Sequence, residues 1–376
     1  MQKSSRLVQE LMRKSDIGDV LDGALAGKRL GLDDCIRLVK SDDAYSMGLA
    51  ASILRRRLFG DTITFVNNII LNYTNVCVTY CKFCAFYRPP GHEESYTVPK
   101  EEIVRRVATS REMFGITQVL IQGGHNPNLK IEYYEDAFRA IKEKCPEVGI
   151  HGLSPSEVDM IAKVERSSTK EVLSRLKAAG MDTFAGAGAE ILEDSVKEQI
   201  SPLKIKSAEW LRIMEEAHGV GLKSVATMMY GTVETEEDRA RHIMKIMQLQ
   251  EKTGGFVCFI PWSFEPNNTE MQAQGLIKYP SGGLQLLKMI AISRIMLFGL
   301  IDHLQSSWLT NGIGMAQLAL DHGADDFGGT LIGEEVVSAT GARSTELTSE
   351  RIIAAIRQAG YRPAERDNFY RIIKRC

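Results

Sequence analysis

The sequence lacks the features that mark disordered, exported or membrane-spanning chains. It has only 11 prolines among 376 residues, no low-complexity tract, and 44% hydrophobic residues, a composition that excludes disordered and collagen-like classes. Residues 1–16 lack the apolar stretch of a secretory signal, so we predict a cytoplasmic protein. The most apolar segment, residues 284–301, carries Gln285, Lys288 and Arg294, so we expect a buried helix and no membrane span.

A charge excess of one sign is also lacking. The chain has 46 basic and 48 acidic residues, for a net charge of -2. No overall field would attract nucleic acid or an anionic membrane, so we predict a small-molecule partner and no nucleic acid. Seven cysteines, an odd number, argue against a disulfide framework in a reducing compartment. Three of them lie close together in the sequence.

The hydrophobic pattern indicates one large α/β domain. Apolar residues recur at helical spacing up to residue 60, and strand-like runs then alternate with amphipathic segments. We predict strands over residues 63–71, 118–121, 148–153, 181–184, 224–229, 256–262, 303–308 and 324–327. This alternation covers about the 250 residues of a (β/α)8 barrel. We therefore predict a TIM-type (β/α)8 barrel over residues 61–376, including a C-terminal helical segment, after a helical N-terminal extension over residues 1–60.

Several helix starts carry capping signals. Ser154-Pro-Ser-Glu157 places a serine at the N-cap and a glutamate at N3, and the segments beginning at Ser168 and Thr235 repeat this order. In a parallel barrel, functional residues gather where the strands end. We therefore expect the site in the loops that follow the strands.

The loop after the first strand contains Cys77, Cys81 and Cys84 in a C-x3-C-x2-C spacing. Three thiolates on a short loop suit a soft metal centre, either zinc or an iron–sulfur cluster. A structural zinc needs a fourth ligand, for which His92 is the nearest candidate. A [4Fe–4S] cluster held by three cysteines leaves one iron open. With Phe83 before the third cysteine, the motif resembles the cluster loop of the radical S-adenosylmethionine superfamily.

This resemblance implies a [4Fe–4S] cluster on the three cysteines and S-adenosylmethionine as the second cofactor. Several of the residues that it places beside S-adenosylmethionine also have a structural interpretation. Gly123 and Gly124 also suit a plain turn, Ser154 a helix cap, Glu190 a solvated helix start, and Met229 barrel filling. The predicted cofactor-binding residues are Phe83, Gln122, Gly123, Gly124, Ser154, Glu190, Met229 and Gly231.

Later strand ends carry amide, hydroxyl and aromatic groups that suit a polar substrate containing a ring. Arg294 is a candidate for holding a carboxylate, although an arginine on an amphipathic helix is more often solvated. The predicted substrate-contacting residues are His151, Asn268, Thr269, Arg294, Gln305 and Trp308.

A closer resemblance covers residues 60–370. The strings Asn-Tyr-Thr-Asn-Val-Cys, Cys-Lys-Phe-Cys-Ala-Phe-Tyr-Arg, Pro-Gly-His-Glu-Glu, Ala-Thr-Met-Met, Phe-Ile-Pro-Trp and Gln-Ser-Ser-Trp resemble the cyclic dehypoxanthinyl futalosine synthases of menaquinone biosynthesis. The resemblance implies that a 5′-deoxyadenosyl radical takes hydrogen from ribose C4′ of a nucleoside-derived substrate. The resulting carbon radical attacks the attached benzoate ring, and loss of an electron and a proton gives the cyclic product. An electron donor such as flavodoxin or ferredoxin is also implied.

The sequence departs from this family at three places. Before Ala189-Glu190, Ala185-Gly-Ala-Gly stands where the family usually has a proline followed by three glycines. Leu297-Phe298-Gly299 replaces Leu-Asp-Asn, and the acidic pair before Val-Val reads Gly333-Glu-Glu-Val. Two related radical enzymes therefore remain alternatives: aminofutalosine synthase and the deazaflavin-precursor synthases. A non-catalytic zinc-binding module is the alternative from another class.

Overall fold

The computed structural model describes residue 10 and residues 12–342 and 346–376. Residues 1–9 and 11 of the predicted N-terminal extension lie outside this part. The described helices are α1 (Gly18–Leu25), α2 (Leu32–Lys40), α3 (Ala44–Phe59), α4 (Lys100–Phe114), α5 (Ile131–Lys144), α6 (Pro155–Glu165), α7 (Thr169–Ala178), α8 (Asp194–Ile200), α9 (Ser207–Gly219), α10 (Glu236–Thr253), α11 (Glu270–Ala273), α12 (Gly283–Leu297), α13 (Trp308–Asp321) and α14 (Ser349–Gln358), with a short 3-10 helix at Ser338–Thr340.

The strands form two hydrogen-bonded sheets. The larger has the order β2-β3-β4-β5-β6-β7-β8, and the smaller has the order β11-β10-β1-β9. All neighbouring strands are parallel except β10 and β11. The strands are β1 (Thr62–Val66), β2 (Asn68–Asn72), β3 (Gln118–Gln122), β4 (Gly149–Gly152), β5 (Thr183–Phe184), β6 (Lys223–Tyr230), β7 (Phe256–Ser263), β8 (His303–Leu304), β9 (Asp326–Gly329), β10 (Arg362–Arg366) and β11 (Ile372–Arg375).

Backbone hydrogen bonds close these sheets into a ring. The N–H of Ser306, just after β8, donates to the carbonyl of Asp326 in β9 at 2.9 Å. On the other side of β9, the N–H of Thr330 donates to the carbonyl of Val66 in β1 at 3.1 Å. Since β1 leads directly into β2, the ring is complete, and the predicted parallel barrel with alternating helices is confirmed.

The first predicted strand, residues 63–71, is divided in the structure. At the break, the amide of Asn67 donates to the carbonyls of Phe114 and Gly115 at 2.7 and 3.1 Å. The half before the break pairs with β9 and β10, whereas the half after it pairs with β3. One chain segment therefore joins the two sheets.

The predicted helix caps are present. Ser154 Oγ accepts a hydrogen bond from the N–H of Glu157 at 3.3 Å, and the Glu157 carboxylate accepts one from the N–H of Ser154 at 2.7 Å. Thr235 forms the same reciprocal pair with Asp238. Sequence signals at helix starts were thus sufficient to position α6 and α10.

The two ends of the chain pack on the barrel in different ways. Helix α3 ends at Phe59, one turn before β1, and buried residues of α1–α3 belong to the same hydrophobic core as the barrel. The C-terminal segment, predicted as helical, is a helix followed by β10 and β11, which extend the sheet beside β1. Pro363 lies in β10 and has no N–H to donate. A proline argues against a strand when the sequence is read alone, which is why β10 was not predicted.

The most apolar segment forms the buried helix α12, as predicted, and no helix among the described residues is long and apolar enough to cross a membrane. Its Arg294 is 1% exposed. The guanidinium donates to Asp325 Oδ1 at 2.6 Å and to the carbonyl of Gly323 at 2.8 Å. These partners precede β9, at the end of the barrel opposite the strand ends. The prediction that Arg294 binds substrate is therefore wrong, because its charge is neutralised inside the fold.

Replacing Arg294 with Met is expected to lower the free energy of unfolding by about 3–5 kcal/mol, because it leaves the buried Asp325 carboxylate without its cation. Thermal or urea unfolding measures the change. Arg105→Met serves as the control, since Arg105 forms an exposed pair with Glu102. Equal stability of the Arg294 variant and the wild type would contradict this assignment.

Candidate active site

A cavity of about 360 Å³ opens at the carboxyl ends of the barrel strands. Most of the residues predicted to bind metal, cofactor or substrate line it, although they come from five separate segments. These residues are Cys77, Cys81, Phe83, Cys84, Gln122, Gly123, Gly124, His151, Ser154, Glu190, Gln305 and Trp308.

The three cysteines come from the loop after β2 and face the cavity together. Thr79 Oγ1 lies 3.0 Å from Cys77 Sγ and 3.5 Å from Cys81 Sγ. Burial raises the pKa of Cys81 to about 12, although Lys204 opposes the shift. The loop thus presents three soft donors, and a bound metal would favour their thiolate forms.

His92, the predicted fourth ligand of the alternative zinc site, does not lie with the three cysteines. His92 is exposed, lies outside the cavity lining, and accepts a hydrogen bond from the N–H of Glu94 through Nδ1 at 3.1 Å. In the part of the chain that the structure describes, no group of three or more His, Cys, Asp and Glu side chains is positioned to hold a single metal ion. A closed Cys3His site is therefore not formed with His92.

The double glycine after β3 supports the cysteine loop. A Cβ atom added to Gly124 would lie 2.2 Å from the carbonyl oxygen of Val76, and one added to Gly123 would lie 2.8 Å from the ring of Tyr73. Neither position has room for a side chain. The glycines therefore have a packing role besides lining the cavity, and their contact with a cofactor stays a prediction.

The Glu157 carboxylate joins the ends of three strands. It accepts hydrogen bonds from Tyr73 Oη at 2.9 Å, from the N–H of Gly123 at 2.9 Å, and from the N–H of Ser154 at 2.7 Å. Burial raises the pKa of Glu157, and these donors oppose the shift. Sequence reasoning treated Glu157 only as a capping residue. Ser154 both caps α6 and lines the cavity, so its two predicted roles are compatible.

Glu190 is a buried, paired carboxylate. Its oxygens lie 2.9 Å from Lys204 Nζ and 3.2 Å from Lys197 Nζ. Although burial alone would raise the pKa of Glu190, the two lysines lower it to about 2. The interpretation of Glu190 as a solvated helix start is therefore wrong, whereas its contact with a ribose stays a prediction.

Sequence reasoning missed both lysines. Lys197 lies in α8, a short helix that was not predicted, and Lys204 follows it in a loop. The ammonium of Lys204 lies 5.6 Å from the centre of the Phe83 ring. A buried cation therefore stands beside the cysteine loop and within the cavity lining.

The departures from the family pattern fit this fold. Ala185 and Ala187 line the cavity. Between them, Gly186 is retained. A Cβ atom added there would lie 2.2 Å from the carbonyl oxygen of Val225, so this position has no room for a side chain. The close approach is thus made at Gly186, and the two alanine methyl groups are accommodated. The segment Leu297-Phe298-Gly299 ends α12 and does not line the cavity.

Four other predicted residues lie outside the cavity lining. Met229 is buried in the barrel and Gly231 donates its N–H to Glu234 at 2.6 Å. The Asn268 amide donates to the carbonyl of Ala339, and Thr269 caps α11. Direct contact of these four with a ligand in the cavity is therefore not supported. Each of the four has a structural role instead, in core packing, in a turn or as a helix cap.

Three residues form the floor and far wall of the cavity. Trp308 Nε1 donates to the carbonyl of Gly329 at 3.0 Å. Gln305 Nε2 donates to Asp326 Oδ1 at 3.3 Å. The His151 ring is neutral, because burial and the nearby charge of Arg366 lower its pKa to about 3. The cavity thus combines a mouth that carries the three cysteines with a floor of uncharged polar and apolar side chains.

Sequence comparison agrees with this geometry. Residues 71–246 match the radical SAM superfamily, and residues 253–375 match the CofH/MqnC C-terminal region. The chain therefore belongs to the radical SAM superfamily, whose members are enzymes that use a [4Fe–4S] cluster and S-adenosylmethionine.

Individual relatives cover nearly the whole chain. It is 41% identical to a cyclic dehypoxanthine futalosine synthase of Streptomyces coelicolor, over 96% of this chain and 90% of the relative. It is also 41% identical to one of Halalkalibacterium halodurans, over 95% of each chain. The 5-amino-6-(D-ribitylamino)uracil–L-tyrosine 4-hydroxyphenyl transferase of Methanothermobacter thermautotrophicus is 40% identical, over 89% of this chain and 92% of the relative.

Solved structures share the fold at low sequence identity. Methylornithine synthase (PylB) gives a TM-score of 0.71 at 18% identity, covering 92% of this chain and 97% of that one. The hydrogenase maturase HydG of Carboxydothermus hydrogenoformans gives 0.74 at 16% identity, covering 98% and 84%. These similarities concern the fold alone.

The donor set fits the cofactors of this superfamily. Cys77, Cys81 and Cys84 supply three sulfur ligands at one cavity, which suits a [4Fe–4S] cluster with one iron left for S-adenosylmethionine. Lys204 adds a fixed positive charge near these sulfurs, which suits an anionic cluster.

Replacing Cys77, Cys81 or Cys84 with Ala is expected to abolish binding of the iron–sulfur cluster after anaerobic reconstitution, because a cluster ligand is lost. Iron content and the visible absorption of the cluster measure the effect. Cys145→Ala is the matched control, since Cys145 is also buried but does not line the cavity. Full cluster content in any of the three variants would contradict the ligand assignment.

Lys204→Met is expected to make the reduction potential of the bound cluster more negative, because it removes a buried positive charge that favours the reduced form. Potentiometric titration followed by electron paramagnetic resonance measures this potential. Lys206→Met removes an exposed lysine that pairs with Glu198, and it should leave the potential unchanged. An unchanged potential in the Lys204 variant would show that this charge does not act on the cluster.

Proposed function

We propose that this chain converts dehypoxanthine futalosine into cyclic dehypoxanthine futalosine. The observation that carries the proposal is the three-cysteine cavity at the mouth of a radical SAM barrel. Similarity to two cyclic dehypoxanthine futalosine synthases over at least 95% of this chain supports the choice of substrate.

The cavity suits a reaction between a radical and a bound nucleoside. When bound, the cluster and S-adenosylmethionine supply a carbon radical that removes a hydrogen atom from the substrate. The protein holds the reacting groups together and excludes water. The apolar part of the lining serves this exclusion through Ile70, Leu120, Val225, Ile260 and Trp262.

Lys204 and Glu190 give the mouth of the cavity fixed charges. Both side chains line the cavity beside the cysteine loop, and Lys197, outside the lining, pairs with the same carboxylate. The floor, in contrast, offers the neutral side chains of His151 and Gln305. We therefore place the anionic cluster at the mouth and the sugar and ring of the substrate above the floor.

The 4-hydroxyphenyl transferases are the second candidate. Their identity to this chain, 40% for the Methanothermobacter enzyme, is nearly the 41% of the cyclases. The higher identity of the two cyclases, 41% against 37–40% for the transferases, favours the first candidate.

We further propose that the cluster is reduced by a small electron-transfer protein of the flavodoxin or ferredoxin type in the cytoplasm. A cluster that performs reductive cleavage needs a low-potential donor, and the mouth of the cavity places the cysteine loop near the protein surface, where Tyr80 is 39% exposed.

Product analysis tests the proposed activity. The reconstituted, reduced protein is incubated anaerobically with S-adenosylmethionine and dehypoxanthine futalosine, and the products are followed by mass spectrometry. The expected products are 5′-deoxyadenosine and a compound two hydrogens lighter than the substrate. A parallel reaction contains tyrosine and 5-amino-6-(D-ribitylamino)uracil, and Cys84→Ala is the inactive control.

The two reactions separate the candidates. Formation of a 4-hydroxyphenyl adduct, with no change in dehypoxanthine futalosine, would replace the first candidate by the second. If 5′-deoxyadenosine appears with both substrates unchanged, the superfamily chemistry holds and both substrate assignments fail.

A further inference from the structure

A chain of buried hydrogen bonds crosses the barrel beneath the cavity. It begins at the backbone N–H of Leu331, which donates to Asn68 Oδ1 at 3.0 Å. Asn68 Nδ2 donates to Gln118 Oε1 at 3.0 Å. Both amide side chains are buried, at 3% and 5% exposure. The chain therefore runs where water does not compete.

The same chain continues through the C-terminal segment to the cavity. Gln118 Nε2 donates to Asn368 Oδ1 at 2.9 Å, and Asn368 Nδ2 donates to Thr183 Oγ1 at 3.2 Å. Thr183 Oγ1 lies 2.8 Å from Nδ1 of His151. Asn368, from the turn between β10 and β11, thus contacts a residue that lies on the wall of the barrel.

The direction of every bond follows from the first one. A backbone N–H can only donate, so the oxygen of Asn68 must be the acceptor and its NH2 group must point to Gln118. The Gln118 oxygen then accepts from Asn68, so its NH2 group donates to Asn368, and the NH2 group of Asn368 in turn donates to Thr183. Because the Thr183 oxygen accepts from Asn368 and has no other acceptor for its proton among the described residues, its O–H donates to Nδ1 of His151.

We propose that this series of hydrogen bonds holds His151 as the tautomer with the proton on Nε2, and that Nε2–H donates a hydrogen bond to an oxygen of the substrate. His151 lines the cavity, and its Nε2 has no partner among the residues that the structure describes. A neutral imidazole whose Nδ1 accepts a hydrogen bond carries its single proton on Nε2 and can donate only from there. His151 is therefore a substrate-binding donor and not the base that receives a proton.

Asn368 acts through Thr183 and is a positioning residue. Its side-chain amide packs closely against the backbone of Gly149, where an added Cβ atom would lie 2.6 Å from the amide. The C-terminal segment thus orients a group in the cavity from the opposite side of the barrel. The ligand class rests on the proposed function, since a hydroxyl or carboxylate oxygen of the nucleoside-derived substrate is the acceptor.

Nitrogen-15 NMR of histidine-labelled protein tests the tautomer without cofactor or substrate. At mildly alkaline pH, His151 is expected to show an unprotonated Nδ1 and a protonated Nε2. His322 is an internal reference for the opposite tautomer, since its Nδ1 donates to the carbonyl of Leu318 at 2.9 Å. Signals that vanish in His151→Gln assign the residue. A protonated Nδ1 on His151 would overturn the proposal.

Asn368→Ala tests the positioning role. Loss of the donor to Thr183 is expected to give a mixture of the two tautomers of His151 in the NMR spectrum, whereas the spectrum of His322 stays unchanged. Asn267→Ala removes an exposed asparagine and is the matched control. If Asn368→Ala remains folded by circular dichroism and retains a single Nε2–H tautomer, Asn368 does not position His151.

Kinetics test the contact with substrate. His151→Gln keeps a donor at the place of Nε2, whereas His151→Leu removes it. We expect His151→Leu to raise KM about 5- to 10-fold with little change in kcat, as for the loss of one hydrogen bond, and His151→Gln to restore most of the affinity. Equal KM values for His151→Leu and the wild type would refute substrate binding. A correct tautomer in a protein without cyclase activity would refute only the proposed substrate.

Discussion

The geometry of the site depends on one buried carboxylate. Glu157 ties Tyr73, at the start of the cysteine loop, to the backbone of Gly123 and of Ser154. Its three hydrogen bonds connect the ends of β2, β3 and β4, which no other side chain does among the described residues of this region. A charged acceptor with several donors compensates for its own burial. The loop that carries the cysteines is therefore fixed relative to the strands on which a cofactor would lie.

One end of the barrel carries stabilising contacts, and the other end carries the residues of the candidate active site. At the closed end, Arg294 and Asp325 form a buried ion pair, and the C-terminal strands extend the sheet beside β1. At the open end, the thiols, Lys204 and Glu190 line a cavity. This arrangement is the usual one for parallel barrels, in which the ends of the strands carry the functional groups. The buried amides between the two ends connect them, since Asn368 reaches Thr183 beneath the cavity floor.

Local patterns in the sequence were sufficient for most of the barrel and for the cysteine loop. Hydrophobic alternation and helix caps gave the strand and helix order, and the spacing of three cysteines indicated a metal centre. Contacts between distant residues were not accessible in the same way. Lys204 pairs with Glu190 across a loop, and Arg294 turns away from the site because Asp325, at the far end, neutralises it. The direction of each side chain depends on partners that lie far away in the sequence.

Transfer of deuterium to 5′-deoxyadenosine shows from which substrate carbon the radical takes hydrogen. Dehypoxanthine futalosine labelled with deuterium at ribose C4′ is incubated with the reconstituted, reduced protein and S-adenosylmethionine under anaerobic conditions, and the 5′-deoxyadenosine is analysed by mass spectrometry. If hydrogen is taken from ribose C4′, 5′-deoxyadenosine carries the deuterium and the cyclic product lacks it. Unlabelled 5′-deoxyadenosine, formed together with a product that keeps the deuterium, would contradict hydrogen abstraction from this position.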